Sequence, residues 1–307
     1  GNAVSSEAGN DSAYSYGGAI YSTGSLDISS NGSVRFSGNS VSADAGYYSD
    51  YSYTAGAYGG AIYGTSSIEM DSNTSVSFTN NSAQADGEDE AAARGGAIWG
   101  NYGISLVNNG TVTFSGNKVS ALNAPDGQTA QGGAIYSSGA LSIRNNTSVL
   151  FEKNVEKTDS GYQLRGVYVA DDAGTVSLSA ASGNSIEFRD SVYIGSGNTV
   201  ELNNTYTDAN GVSCSQTGDI IFTGAYVDSN LYTAKGYESG TAEEVLNSKT
   251  SHVNAMTPLY GGRLRVEDGA VYMGQGVTAV AGSSSTVSVK DAELRHRDND
   301  LTFNYGT

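Results

Sequence analysis

Few residues of this chain have the types and spacing that catalysis requires. The best acidic pair is Asp171 and Asp172, and Glu267 and Asp268 form the next. A glycan-cleaving enzyme built on a β-helix needs clustered carboxylates with a basic residue on the same face. Adjacent residues on a strand point to opposite faces, so such a pair acts together only in a turn. We interpret both pairs as solvated turns and expect no enzyme.

Nucleophilic and metal chemistry find equally little support. Cys214 has no His near it in the sequence, the two histidines, His252 and His296, lie far apart, and no Gly-x-Ser-x-Gly elbow is present. Residues 86–90 concentrate carboxylates as a calcium site does, but their spacing matches neither the EF-hand nor the calcium-binding nonapeptide. We interpret this run as a charged, solvated loop and expect no metal and no cofactor.

The composition predicts short strands joined by Gly and Asn turns. Among 307 residues there are 41 Gly, 2 Pro and 21 Tyr, and charged residues make up 15%. Such a chain is poor in helix formers and too rich in Val, Ile, Tyr and Phe for disorder. The net charge of −17 disfavours nucleic acid and bare anionic membrane as partners.

No signal peptide opens the chain and no apolar run is long enough for a membrane helix. We therefore expect an internal piece of a longer precursor.

The elements that position every side chain follow from an internal repeat. Four segments begin with Gly-Gly-Ala-Ile, at Gly17, Gly59, Gly95 and Gly132. Each has a Phe 19 residues after its first Gly, and an Asn three residues after that Phe. The recurrent residues are Ile20, Ile62, Ile98 and Ile135; Phe36, Phe78, Phe114 and Phe151; and Asn39, Asn81, Asn117 and Asn154. The same spacings in four segments are too regular to arise by chance.

A second row of Asn lies 14 residues after each first Gly, at Asn31, Asn73, Asn109 and Asn146. Between these anchors, apolar and polar residues alternate in three short bursts, which indicates three strands separated by bends. One such coil cannot bury its apolar side chains alone and must stack on its copies. We therefore predict an all-β fold, a right-handed parallel β-helix with three short strands per coil.

Stacking gives each fixed position a role. The Phe and Ile rows become internal ladders, and both Asn rows sit at bends, where left-handed backbone angles are tolerated and the amide reaches the neighbouring coil. The Gly-Gly pair makes a bend too tight for a Cβ. Tyr21, Tyr63, Trp99 and Tyr136 follow Ile and should face outward, either as simple surface packing or as a binding stripe.

The segments after the second Asn, 40–58, 82–94 and 118–131, differ in length and sequence, and we interpret them as variable loops on a fixed scaffold. The first carries Tyr47, Tyr48, Tyr51, Tyr53 and Tyr58, the candidate binding residues of the chain, because Tyr offers contact area at small entropic cost. A mobile loop without function is the alternative. Tyr14 and Tyr16 occupy a similar position before the first repeat, so we expect the two segments to lie side by side.

The paired tetrapeptides Gly-Gly-Ala-Ile and Phe-x-x-Asn resemble the repeat of the chlamydial polymorphic membrane proteins, a branch of the autotransporter family. The regular repeats cover residues 1–157. Residues 158–307 keep the strand rhythm less regularly, with an insertion at 225–257, and Gly183-Asn-Ser-Ile-Glu-Phe188 is similar to the family's passenger middle region.

The resemblance implies a surface-displayed passenger of type V secretion at the outer membrane, released by cleavage or not, with its translocator barrel downstream. Its implied role is adhesion to a host or matrix receptor or glycan. A β-helix enzyme acting on glycans and a purely structural stalk are the alternatives. Open coil edges also favour self-association.

Overall fold

The computed structural model describes residues 1–9, 11–46, 53–181, 183–194, 198–202, 206–207, 213–214 and 219–225, and the strands between 256 and 305. All regular elements in these residues are strands. No helix suited to crossing a membrane occurs in this part of the chain.

In the described part of the chain, thirty-five strands follow one another in order. The strands up to the end of the third repeat are β1 Ala3–Ala8, β2 Ala13–Tyr16, β3 Ile20–Ser22, β4 Leu26–Ser29, β5 Val34–Ser37, β6 Ser40–Ala45, β7 Thr54–Tyr58, β8 Ile62–Gly64, β9 Ile68–Asp71, β10 Ser75–Thr79, β11 Ser82–Gly87, β12 Glu90–Arg94, β13 Ile98–Gly100, β14 Gly103–Val107, β15 Thr111–Ser115, β16 Lys118–Leu122 and β17 Gly127–Gln131.

The later strands are β18 Ile135–Ser137, β19 Ala140–Arg144, β20 Ser148–Glu152, β21 Val155–Thr158, β22 Gly161–Val169, β23 Thr175–Ser179, β24 Ser185–Ile194, β25 Thr199–Leu202, β26 Tyr206–Thr207, β27 Ser213–Cys214, β28 Asp219–Ala225, β29 Met256–Leu259, β30 Arg263–Val266, β31 Ala270–Met273, β32 Thr278–Ala281, β33 Thr286–Val289, β34 Glu293–His296 and β35 Phe303–Tyr305.

Three parallel ladders run along the whole axis and form a parallel β-helix, which confirms the predicted fold. Sheet 1 stacks β3, β8, β13, β18, β22, β24, β29, β32 and β35. Sheet 2 stacks β4, β9, β14, β19, β23, β25, β30 and β33. Sheet 3 stacks β5, β10, β15, β20, β24, β28, β31 and β34.

The core of this helix is a row of stacked rings. Phe36, Phe78, Phe114, Phe151 and Phe188 are paired in register on sheet 3, and successive ring centroids lie 4.8, 4.9, 4.7 and 4.9 Å apart. The Ile row of sheet 1 is likewise in register. The core of one coil therefore continues directly into the next.

The Gly-Gly pair turns the chain into sheet 1. The first Gly is left-handed, with φ of 68° at Gly59 and 64° at Gly95. At the second, Gly60, an added Cβ would lie 2.1 Å from the Gly96 carbonyl oxygen of the next coil. Each Gly is therefore required for a different reason, the first for its backbone angle and the second for close approach.

Both Asn rows form buried amide ladders along the axis. Asn81 donates from its backbone N–H and from Nδ2 to Oδ1 of Asn117, at 3.0 and 2.9 Å. Asn73 does the same to Oδ1 of Asn109. The left-handed angle at these bends lies on the preceding residue, for example Asn80 at φ 55° and Asn108 at φ 55°, which corrects the expectation that the ladder Asn itself adopts it.

The segments interpreted as variable loops are mostly strands, which corrects the sequence prediction. Sheet 4 stacks β1, β6, β11, β16 and β21, and sheet 5 stacks β2, β7, β12 and β17. The two sheets enclose a second small core of Ala and Val, including Val41, Ala43, Ala85, Ala91 and Ala93. We call sheets 4 and 5 the wing. Small side chains let the two sheets pack closely on each other.

The wing covers only part of the axis. From β23 onward, the described strands of each coil belong to sheets 1, 2 and 3, apart from the short antiparallel pair β26 and β27. Strand β24 serves both sheet 3, through Ser185 to Phe188, and sheet 1, through Ser191 to Ile194. Tyr47, Tyr48, Tyr51 and most of the 225–257 insertion lie outside the described residues.

Candidate functional site

A row of aromatic side chains runs along the outer face of sheet 1. Because successive side chains of a strand alternate in direction, the residue after each core Ile points away from the core. Tyr21, Tyr63, Trp99 and Tyr136 stack with centroid distances of 5.3, 4.3 and 6.2 Å. Tyr168 and Tyr193 extend the stack at 5.5 and 4.3 Å. We call these six residues the aromatic ridge.

Sheet 5 lies against the ridge and supplies a second row of rings. Tyr16 of β2 pairs in register with Tyr58 of β7, and their centroids are 5.5 Å apart. Tyr16 also meets Tyr63 edge-on at 4.8 Å. The expected side-by-side placement of the segments around Tyr14 and around Tyr58 is therefore confirmed, but Tyr58 is a strand residue and not part of a loop.

One arginine ties the two rows together. The guanidinium carbon of Arg94 lies 5.8 Å from the centroid of Tyr58 and 5.4 Å from that of Tyr136, and its Nε donates to Oε1 of Gln131 at 2.9 Å. Arg94, Tyr58 and Gln131 occupy the same register position on sheet 5. Cation–π contacts of this kind fix the angle between the wing and the ridge.

Exposure differs among these rings. Tyr21 is 56% exposed and Tyr14 is 45% exposed, whereas Tyr136 is buried. Burial and the neighbouring tyrosines Tyr16, Tyr21 and Tyr58 raise the pKa of Tyr63 to about 12. Its hydroxyl therefore stays protonated at physiological pH. The exposed rings are flat, rigid and amphipathic, and they suit contact with a partner.

The outer tip of the wing is acidic. Asp44, Asp86, Glu88 and Asn123 line an open depression there, and Asn123 Nδ2 donates to Oδ1 of Asp86 at 2.8 Å. Within the described residues, no three His, Cys, Asp or Glu side chains come together as a metal site would need. Tyr53 is half-buried, and its backbone N–H donates to Oδ2 of Asp89 at 2.8 Å.

The other residues considered for chemistry are dispersed. Asp171 and Asp172 are exposed in a turn, as predicted, and Asp172 has a left-handed backbone. Cys214 lies on β27 and His296 on β34, on separate strands. His252, Glu267 and Asp268 lie outside the described residues.

Two buried acids were not recognised from the sequence. Asp190 ends the ladder that runs from Asn39 to Asn154, and its Oδ2 accepts from the Asn154 N–H at 3.0 Å and from Nδ2 at 2.6 Å. Burial raises the pKa of Asp190 to about 7 despite these two bonds. Burial also raises the pKa of Glu156 to about 7, against the lowering effect of Arg165.

The geometry around Asp190 is consistent with the raised pKa of its carboxyl group. In the preceding coil, the Asn154 Nδ2 also donates to the Phe114 carbonyl at 3.0 Å. Oδ1 of Asp190 is buried and makes no hydrogen bond to any described residue. A protonated Oδ1 supplies the donor that the ladder position requires. The sequence signal was the Phe188-x-Asp190 spacing, which is one residue shorter than Phe-x-x-Asn.

We predict that Asp190→Asn removes part of the pH dependence of stability. An acid whose folded pKa is raised from 3.8 to about 7 makes the fold more stable below pH 4 than above pH 7, because the folded state holds the proton. The variant and the unchanged protein should have similar free energies of unfolding near pH 4. At pH 8 the variant should be more stable by more than about 1 kcal/mol.

Urea titrations from pH 4 to 8 measure this difference. Asp172→Asn, in an exposed turn, is the matched control and should leave the pH profile unchanged. If Asp190→Asn is less stable than the unchanged protein at pH 8, then the carboxylate is preferred at this position and the interpretation is wrong.

Comparison with known proteins agrees with this repeat geometry. The sequence pattern of the Chlamydia polymorphic membrane protein repeat matches residues 75–101 and 111–138. Each match runs from the sheet 3 strand of one coil to sheet 1 of the next, including the Phe, the ladder Asn and the Gly-Gly corner. Searches of curated proteins and of solved structures gave no match. Residues 75–101 and 111–138, which carry Trp99 and Tyr136 of the aromatic ridge, thus match the Chlamydia polymorphic membrane protein repeat.

Proposed function

We propose that this chain is part of a surface-displayed passenger that acts as an adhesin, binding a host or matrix receptor or glycan without making or breaking a bond. The repeat match points to a bacterial outer-membrane or surface protein of the autotransporter type. The net charge of −17 is unfavourable for phosphate-rich partners and for anionic membrane.

The observation that supports binding is a pair of exposed tyrosines, Tyr14 of β2 and Tyr21 of the aromatic ridge. Tyr14 and Tyr21 are large apolar side chains left open to solvent, although the fold buries the Phe and Ile rows completely in its middle coils. Tyr16 lies between them and holds both, with ring centroids at 6.4 Å from Tyr14 and 6.0 Å from Tyr21. Rings fixed in this way lose little entropy when a partner contacts them.

We predict that Tyr14→Ser combined with Tyr21→Ser weakens attachment of the purified chain to cultured host cells by at least about tenfold, because aromatic residues in contact surfaces commonly contribute 2 kcal/mol or more. Tyr102→Ser is the matched control, since Tyr102 is 74% exposed on the bend between sheets 1 and 2. Equal attachment by all three proteins would refute the ridge as the contact surface.

The tyrosines of the first wing segment are tested separately. Changing Tyr47, Tyr48 and Tyr51 to Ser keeps the length of the segment and leaves β6 and β7 intact. If this variant loses attachment and the variant with Tyr14→Ser and Tyr21→Ser keeps it, then the contact surface includes the segment between β6 and β7. A glycan array probed with the same proteins separates glycan from protein receptors.

A further inference from the structure

Sheet 5 stops at β17 because the next coil folds differently. In the preceding coils, the strand that returns from the wing tip adds to sheet 5. In the coil that follows β17, the returning chain forms the first half of β22 and pairs antiparallel with β21, from Val155 with Leu164 to Thr158 with Gly161. Among the described strands, β17 therefore has a neighbour on one side only.

The hydrogen bonds of the earlier coils show which groups face the open side. Gly59 N donates to the Arg94 carbonyl and Gly95 N to the Gln131 carbonyl, each at 3.0 Å. The backbone of Gln131 therefore faces the preceding coil. In a parallel ladder the backbone N–H and C=O of alternate residues face opposite neighbours. The N–H and C=O of Gln128 and Ala130 consequently face the open edge.

A side chain replaces one missing bond at this edge. Gly132 corresponds to Gly59 and Gly95, but its N–H donates to Oε1 of Glu156 at 2.6 Å instead of to a backbone carbonyl. Glu156 is only 4% exposed, and its Oε2 is paired with Arg165 at 2.7 Å. The carboxylate takes the place of the carbonyl that a further strand would supply.

An open pocket of about 390 Å³ lies where that strand would run. Residues 128–131 of β17 form one wall, and Thr158, Gly161 and Gln163 of the β21–β22 hairpin line it as well. Tyr168 and Tyr193 of the aromatic ridge also line the pocket. A strand of five residues is about 17 Å long, the length of the β17 edge.

We propose that this pocket binds an extended peptide segment of a protein partner, which adds to β17 as a further parallel strand of sheet 5. The backbone groups of Gln128 and Ala130 bind its main chain, as in other cases of strand addition to a sheet edge. Its inward side chains are small, because the equivalent inward positions of sheet 5 are Ala57, Ala93 and Ala130. This inference goes beyond the proposed adhesin function and does not depend on it.

The probe is a capped synthetic peptide with the sequence of residues 89–95, which contains β12, titrated into the full chain. Ala130→Pro removes the outward N–H and places the proline ring in the pocket, a change that a strand edge tolerates. We expect saturable binding to the unchanged protein and at least about tenfold weaker binding to the variant, from the lost hydrogen bond and the filled space. Ala130→Ser is the matched control, since it keeps the N–H and a small side chain, and it should bind normally.

Hydrogen exchange of the unchanged protein tests the proposal without requiring that a variant folds. In the unchanged protein, the amides of Gln128 and Ala130 should exchange fast and should slow when the peptide is added, whereas those of Ala91 and Ala93 stay slow throughout. Slow exchange at Gln128 and Ala130 without peptide would mean that the edge is already filled, and would overturn the proposal. Equal binding by Ala130→Pro, or binding of oligosaccharides but not of the peptide, would overturn it too.

Discussion

Asn117→Ala is expected to lower the free energy of unfolding by about 3 to 5 kcal/mol, because it interrupts a buried polar ladder at its centre. The Asn117 side chain accepts from the Asn81 N–H and donates to the Phe78 carbonyl at 3.0 Å and to Asn154 Oδ1 at 2.9 Å. Alanine keeps none of these bonds. The Asn81 N–H and the Phe78 carbonyl are then buried without these partners, and each such group costs roughly 1 to 3 kcal/mol.

Urea unfolding followed by circular dichroism measures the change. Asn101→Ala is the matched control, since Asn101 is exposed on a bend. This variant should lower the free energy of unfolding by no more than about 0.5 kcal/mol. A loss below about 1 kcal/mol for Asn117→Ala would show that water or a shifted backbone replaces the amide, and that the ladder contributes little.

Phe114→Ala should destabilise the protein by a similar amount, about 3 to 5 kcal/mol. The ring is completely buried, with Phe78 4.9 Å away on one side and Phe151 4.7 Å away on the other. Removing the ring leaves a cavity between the rings of Phe78 and Phe151. The backbone pairing holds each of these residues one strand spacing from position 114, so neither ring can move to fill the cavity.

Thermal and urea unfolding of Phe114→Ala, Phe114→Leu and Tyr102→Ala test this account. Leucine should recover more than half of the loss, because it refills most of the volume. Tyr102→Ala removes a ring that is 74% exposed and should have almost no effect. An effect of Phe114→Ala no larger than that of Tyr102→Ala would contradict the ring ladder as the core of the coil.

The parallel β-helix was predictable because the spacing between its key residues is fixed within each coil. Phe36 and Phe78 must meet one strand spacing apart, so their distance from the Gly-Gly corner cannot vary, and the sequence shows this directly. The same reasoning identifies both Asn rows. It assigned the left-handed angle to the wrong residue, since only the neighbour, such as Asn80, needs it for the amide to reach inward.

The wing was missed because its core is made of alanine. Ala43 aligns with Ala85, and Ala85 with Ala121, yet alanine has weak strand preference and forms no conspicuous apolar pattern. The three segments differ in length between their two strands, and this difference hid the common register of those strands. Tyr58 was therefore predicted to be a loop residue, although it pairs with Arg94 in a ladder.

The site was foreseen only in part. The outward direction of Tyr63 and Trp99 follows from their position after a core Ile, and the structure adds that they stack. The open edge of β17 follows from β21 and β22 pairing with each other as a hairpin, in a segment that lacks the repeat pattern of the earlier coils. Glu156 gave no signal, because a single buried Glu is indistinguishable from a surface one in the sequence.

The Gly-Gly corners also divide the chain into exchangeable units. The chain enters sheet 1 at Gly59, Gly95 and Gly132 with the same φ, within 64° to 72°, whatever the length of the wing segment before it. Genetic recombination between two such corners would therefore add or remove a whole coil. The strands of the remaining coils would stay paired in register. Genes for chains of this design can change the length of the β-helix in steps of one strand spacing, without redesigning a core.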